Sequence, residues 1–111
     1  MSIPSLGQLE LTVLLAVTRL GDEAYGLGVR RDVSARTGHD YSVGAMYTTL
    51  QRLEEKGLIS SRTTDPVPTR GGRSRRQFRI TTVGRRALQQ AEQRATSVWA
   101  GVGATLRPET A

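Results

Sequence analysis

The chain contains no cysteine, which removes disulfide frameworks, thiolate nucleophiles and cysteine zinc sites together and leaves the redox compartment open. It has no run of about 18 apolar residues able to span a bilayer. Its start, MSIPSLGQLELTV, has neither the basic opening nor the small-residue cleavage site of a secretory signal. A cytoplasmic location without membrane contact is the expectation. Histidine occurs once, as His39 beside Asp40 in a polar link, and a lone His-Asp pair without a nucleophile reads as loop capping rather than catalysis. Gly26 and Gly28 follow a helical segment instead of a strand, so they do not form a dinucleotide fingerprint. No catalytic residue, metal ligand or cofactor is expected.

Lysine is nearly absent as well: fifteen of the sixteen basic residues are arginine, the side chain whose planar fork suits phosphates and guanine edges. Between Arg62 and Arg86 stand eight arginines and one acid, Asp65, a local charge of +7 within a chain of formal charge +6, so the remainder sums to −1. The basic character belongs to one segment, and a polyanionic partner is its natural complement. With 111 residues the chain is one domain whose modest core a partner subunit would help to bury.

Hydrophobic spacing predicts three short helices. Leu6, Leu9, Val13, Leu14, Val17 and Leu20 recur at helical intervals between Pro4-Ser5 and Gly21-Asp22. Leu27, Val29, Val33 and Ala35 mark the apolar positions of a second helix from Gly26 to Thr37, stopped by Gly38. Ser42 caps a third, with Val43, Met46, Leu50 and Leu53 inward, Ala45, Thr48, Thr49, Gln51 and Arg52 on the opposite face, and Gly57 at its end. The alternating segments LISSRTT and QFRIT then flank DPVPTRGGRSRR, the pattern of a hairpin with a long basic tip. Phe78 and Ile80 point inward, leaving Arg79 outward for a salt bridge or a DNA contact. A last helix, capped by Thr81 or Thr82, carries Leu88, Ala91, Ala95, Val98, Val102 and Thr105 or Leu106 at the spacing of a helix-pairing seam. Gly101 and Gly103 weaken its distal end.

The order helix, helix, helix, hairpin, helix defines the expected fold class: mainly α with a small β-hairpin, a winged helix-turn-helix with a C-terminal dimerisation helix. Residues 1–80 form the DNA-binding unit, 81–106 the dimerisation helix and 107–111 a frayed tail. In such a fold the third helix enters the major groove and the wing follows the backbone. Ser42, Ala45, Thr48, Thr49 and Arg52 are the expected groove-facing residues, although Arg52 can instead pair with Glu55. Arg70, Arg73, Arg75 and Arg76 are the expected phosphate or minor-groove contacts.

The segments LTVLLAV, GDEAYG, YSVGAMYTTLQRLEEKGLI, GGRSRRQFRIT and TTVGRRAL together resemble the PadR family of bacterial transcriptional regulators, in its short variant with a single C-terminal helix, over about Leu6 to Leu88. The resemblance implies a winged-helix homodimer that represses transcription and often responds to a small-molecule effector. It places Tyr47 at the family's recognition-helix tyrosine, implying a contact with double-stranded DNA backbone; packing against the core edge is the alternative. It also gives meaning to Trp99, the only tryptophan, beside the seam residue Val98: in some members tryptophans at this interface sandwich flat aromatic ligands. The plainer reading is that Trp99 fills the subunit gap along with Leu88, Ala91, Ala95, Val98 and Val102. Two other functions fit the same fold, a winged-helix adaptor for an acidic protein and a nonspecific architectural DNA binder.

Overall fold

Three helices, a two-stranded antiparallel ribbon and a longer C-terminal helix follow one another in the computed structural model, which describes residues 3–64 and 75–108. Helix α1 (Gln8–Leu20) begins after Gly7, whose N–H donates to the Glu10 carboxylate at 2.9 Å. It buries Val13, Leu14, Ala16 and Val17. Leu6 precedes the helix instead of starting it, and packs half-buried against the same core. A 3-10 turn (Gly21–Glu23) leads into α2 (Gly26–Thr37), which ends at Gly38, left-handed at φ 70° with its N–H donating to the Ser34 carbonyl. Only Gly26, Val29 and Val33 are buried in α2. The expected inward positions Leu27, 53% exposed, and Ala35 face solvent, because the α2 contact stripe has steps of three and four residues and is one residue wide.

Helix α3 (Val43–Glu55) is capped as its sequence demands, the Ser42 hydroxyl accepting from the Ala45 N–H at 3.0 Å. Its buried face is Met46, Thr49, Leu50 and Leu53. Two expectations exchange places here. Val43, read as inward, is 51% exposed, and Thr49, read as groove-facing, is 5% exposed with its hydroxyl donating to the Ala45 carbonyl at 2.8 Å. Side chains of a first turn lean toward the helix N-terminus, so Val43 overhangs the end of the core, whereas Thr49 stands one turn inside it between Met46 and Leu53.

Strand β1 (Ile59–Thr64) pairs with β2 (Arg75–Ile80) from Ile59 opposite Ile80 to Thr64 opposite Arg75. An isolated bridge from Tyr25 to Gln77 and a bond from the Phe78 N–H to the Ala24 carbonyl at 2.8 Å add a short third edge. Phe78 faces the core as expected and Ile80 is half-buried against it. Gln77 is buried too, beside the Tyr25 segment that pairs with the edge of β2. Both ends of its amide are bonded, Nε2 donating to the Asp22 carbonyl at 2.6 Å and Oε1 accepting from Arg62 Nε at 2.7 Å.

Helix α4 (Thr82–Trp99) is capped by Thr81, whose hydroxyl accepts from the Gly84 N–H and donates to the Gly57 carbonyl at 2.7 Å. Gly84 and Ala87 are buried, Leu88 and Ala91 are half-buried, and every described residue past Ala91 is exposed. The helix expected to reach Leu106 is interrupted: α4 ends at Trp99, Gly101 takes φ 79°, and a four-residue α5 (Gly103–Leu106) follows. Glycine at 101 supplies the left-handed turn that other residues resist. Among the described residues no helix is long and apolar enough to cross a membrane.

Candidate nucleic-acid interface

The turn between α2 and α3 is held by Arg30, which donates from Nε to the Tyr41 carbonyl at 2.7 Å and pairs with Asp40 at 3.3 Å. His39 lies against the Tyr41 ring, centroids 4.3 Å apart. This fixes α3 with one face on the core and the other in solvent. The outward face of its first two turns comprises Ser42, Val43, Gly44, Tyr47, Thr48 and Gln51, followed by Arg52. Ala45 is half-buried at the edge of this face. Arg52 is exposed and, among the described residues, has no ion pair, so the pairing with Glu55 does not form.

Tyr47 does both things that its chemistry allows. Its ring packs on the start of α2, where a Cβ at Gly26 would stand 2.5 Å from the Tyr47 hydroxyl oxygen, and half of the residue remains exposed. It joins two open clefts on the same side of the molecule. One, between α3 and β2, is lined by Tyr47, Gln51, Glu54, Arg76 and Phe78. The other, at the α2 N-terminus, is lined by Tyr25, Gly26, Gly28, Arg31, Arg75 and Arg76.

The second cleft is electropositive for two reasons. Arg31, Arg75 and Arg76 converge on it, with Glu23 the one acid in its lining. The amides of Gly26, Leu27 and Gly28 also precede the first intrahelical bond of α2, from the Val29 N–H to the Tyr25 carbonyl at 2.8 Å, and such unpaired amides favour an anion. Arg75 is oriented by stacking its guanidinium 3.9 Å from the Tyr25 ring centroid. Arg76, on the other face of β2, donates to the Ser61 hydroxyl at 3.2 Å and lies 4.0 Å from the Glu54 carboxylate. Arg79 takes the salt-bridge role, to Asp22 at 3.1 Å. Arg70 and Arg73 lie outside the described residues.

The structure thus brings Ser42, Tyr47, Thr48, Arg75 and Arg76 to one side, with Arg52 beyond them, and withdraws Thr49. Sequence reasoning missed Val43, Gly44, Arg31 and Tyr25 as members of this surface. Arg31 lies on α2, remote from the hairpin in the sequence, and only the bridge from Tyr25 to β2 sets it beside Arg75 and Arg76.

The expected pairing surface lies elsewhere. Leu88, Ala91 and Ala95 of α4 form an apolar groove with Leu11 and Leu15 of α1. Val98 and Trp99 are 70% and 62% exposed. Val102 falls past the end of α4, off the regular seam.

Residues 13–90 match a family model described as the transcriptional regulator PadR-like family. The transcriptional regulator Rv3488 of Mycobacterium tuberculosis is 39% identical over 71 residues, a stretch covering 62% of this chain and 60% of that protein. A PadR-like transcriptional regulator from Bacillus cereus shares the fold with TM-score 0.71 at 24% identity, over 91% of this chain and 93% of the other. A PadR family regulator from Eggerthella lenta is similar with TM-score 0.65 at 29% identity, over 91% and 89% of the two chains.

Proposed function

The chain belongs to the PadR-like family of transcriptional regulators, whose members regulate transcription and are not enzymes, and from that premise we propose that it is a sequence-specific repressor that binds a dyad operator as a homodimer. The observation that carries this reading is the division of one surface into an α3 face that is uncharged up to Arg52 and a flanking cluster of Arg31, Arg75 and Arg76. The α3 face, Ser42, Tyr47, Thr48 and Arg52 with Ala45 at its edge, enters the major groove. The arginines and the α2 N-terminus hold the adjacent phosphates, and Arg70 and Arg73 extend that grip through the wing. Residues 1–80 then form the DNA-binding unit. The segment 81–106 pairs two subunits through Leu88, Ala91, Ala95, Val98, Trp99 and Val102, and 107–111 is a tail. The exposure of apolar side chains on α4 supports a second subunit there.

Binding of the full chain to duplexes tiled over the DNA flanking its own gene tests this. A specific regulator binds one dyad site at least about a thousandfold more tightly than random duplex at the same salt. Equal affinity for all duplexes identifies an architectural binder, and no affinity for any identifies a protein adaptor. A second reading of the α4 surface, a site for a planar aromatic or cationic effector, is favoured by the exposure of Trp99. Quenching of Trp99 fluorescence by such compounds supports it, and no quenching across a panel leaves Trp99 a packing residue.

A further inference from the structure

Two residues at the start of α3 contribute little to the buried core. Gly44 disfavours a helix relative to alanine, yet its φ is not positive and nothing lies within 4 Å of where its Cβ would stand. Neither backbone geometry nor packing asks for glycine. Next to it Val43, a purely apolar side chain, is half exposed. Both sit in the first turn of the helix whose outward face is uncharged until Arg52, on a molecule that places Arg31, Arg75 and Arg76 beside that face.

We propose that Gly44 is the point where α3 approaches the floor of the major groove and that Val43 rests there against the C5-methyl group of a thymine. This rests on the DNA-binding reading above and adds to it one base identity. The arginines beside α3 take the phosphates, so the uncharged strip next to them faces the base edges. The first turn of a recognition helix is the part that reaches those edges. Without a Cβ at Gly44, the helix axis comes closer to the bases than any other residue allows. Val43 offers neither donor nor acceptor, and of the groups that unmodified DNA displays in the major groove the thymine methyl is the largest apolar one. Opposite any other base edge, the valine would cover polar groups without pairing them.

The test starts from the tightest duplex recovered by selection with the full chain. Each thymine is replaced in turn by deoxyuridine, which removes only the methyl group. One position per half-site should weaken wild-type binding about fourfold, the transfer value of one methyl. Val43→Ala should bind the thymine and deoxyuridine duplexes equally at that position. Gly44→Ala should melt no lower than wild type and bind the operator at least about tenfold more weakly, opposite signs that a structural role would not produce. Thermal melting of Val43→Ala checks that its fold is intact. The proposal is overturned if no thymine is sensitive in wild type, if Val43→Ala retains the sensitivity, or if Gly44→Ala binds like wild type. Specific binding without methyl sensitivity overturns this inference alone, whereas the absence of specific binding overturns the DNA reading together with it.

Discussion

At the scale of single residues, Gly84 and Gly44 are helical glycines with opposite demands. A Cβ on Gly84 would stand 2.1 Å from the Leu58 carbonyl oxygen and 2.8 Å from Ile80 Cγ1, so α4 docks on the β1–β2 ribbon only where the side chain is a hydrogen. Gly84→Ala is expected to destabilise the fold by about 1–3 kcal/mol, the cost of overpacking a tight contact, read as a lower urea midpoint. The wing arginines separate just as clearly. Arg75 is aimed into the cleft by Tyr25, whereas Arg79 is committed to Asp22. Arg75→Ala should therefore reduce the salt slope of DNA binding by about one per subunit, about two for a dimer on a dyad, and Arg79→Ala should leave it nearly unchanged, as titrations at several salt concentrations will show. The distinction between these two arginines was half legible. Strand alternation turned Arg79 outward, but only the position of Asp22 in the folded chain settled what it meets.

At the scale of elements, the helices are joined by two ion clusters. Asp32 of α2 accepts from Arg19 of α1, through Arg19 Nε at 3.2 Å and a second guanidinium bond, and lies 3.6 Å from Arg36. The Arg19 hydrogen bond, against the opposing effect of burial, holds the Asp32 carboxyl below its usual value. Lys56, at the end of α3, pairs with Glu10 of α1 at 2.7 Å and donates to the Ser5 carbonyl at 3.1 Å. Burial pushes the Glu10 carboxyl up, but Lys56 and the Gly7 amide outweigh it and hold it below the ordinary range. A carboxyl whose folded value is depressed contributes stability above its unfolded value, and that contribution disappears as pH falls through the folded one. The melting temperature is thus expected to be level above about pH 5 and to decline below about pH 4. Asp32→Asn should cost about 1–2 kcal/mol at pH 7 and progressively less toward pH 3, a convergence visible in paired thermal melts. Helix existence and polarity were readable from periodicity and caps. The reach of each stripe was not, since Val43 satisfies the period yet overhangs the end of the core, and Leu27 lies off the narrow stripe of Gly26, Val29 and Val33 that α2 buries.

At the scale of the whole molecule, the folded chain leaves apolar surface where a second subunit is proposed. The groove between α1 and α4 and the exposed Val98 and Trp99 lie along one helix. A charge introduced there should block pairing while sparing a core built from α1 to β2. Val98→Asp combined with Leu15→Asp is expected to sediment as a folded monomer with an unchanged helical spectrum, and to bind an isolated half-site better than the full dyad relative to wild type. If the double variant remains dimeric, the proposed subunit contact lies on another face.

The sequence by itself determined the order of elements, the capping residue Ser42, the inward Phe78 and the concentration of arginine after α3, and narrowed the cap of α4 to Thr81 or Thr82, because periodicity, caps and charge are local properties of the chain. Tertiary structure alone decided the membership of the surface. Thr49 was withdrawn by neighbours on both sides in the core, Val43 was released because no element covers the start of α3, and Arg31 joined Arg75 because Tyr25 bridges to Gln77. Which face a residue takes at the edge of a core depends on what packs above it, and that depends on elements distant in the sequence.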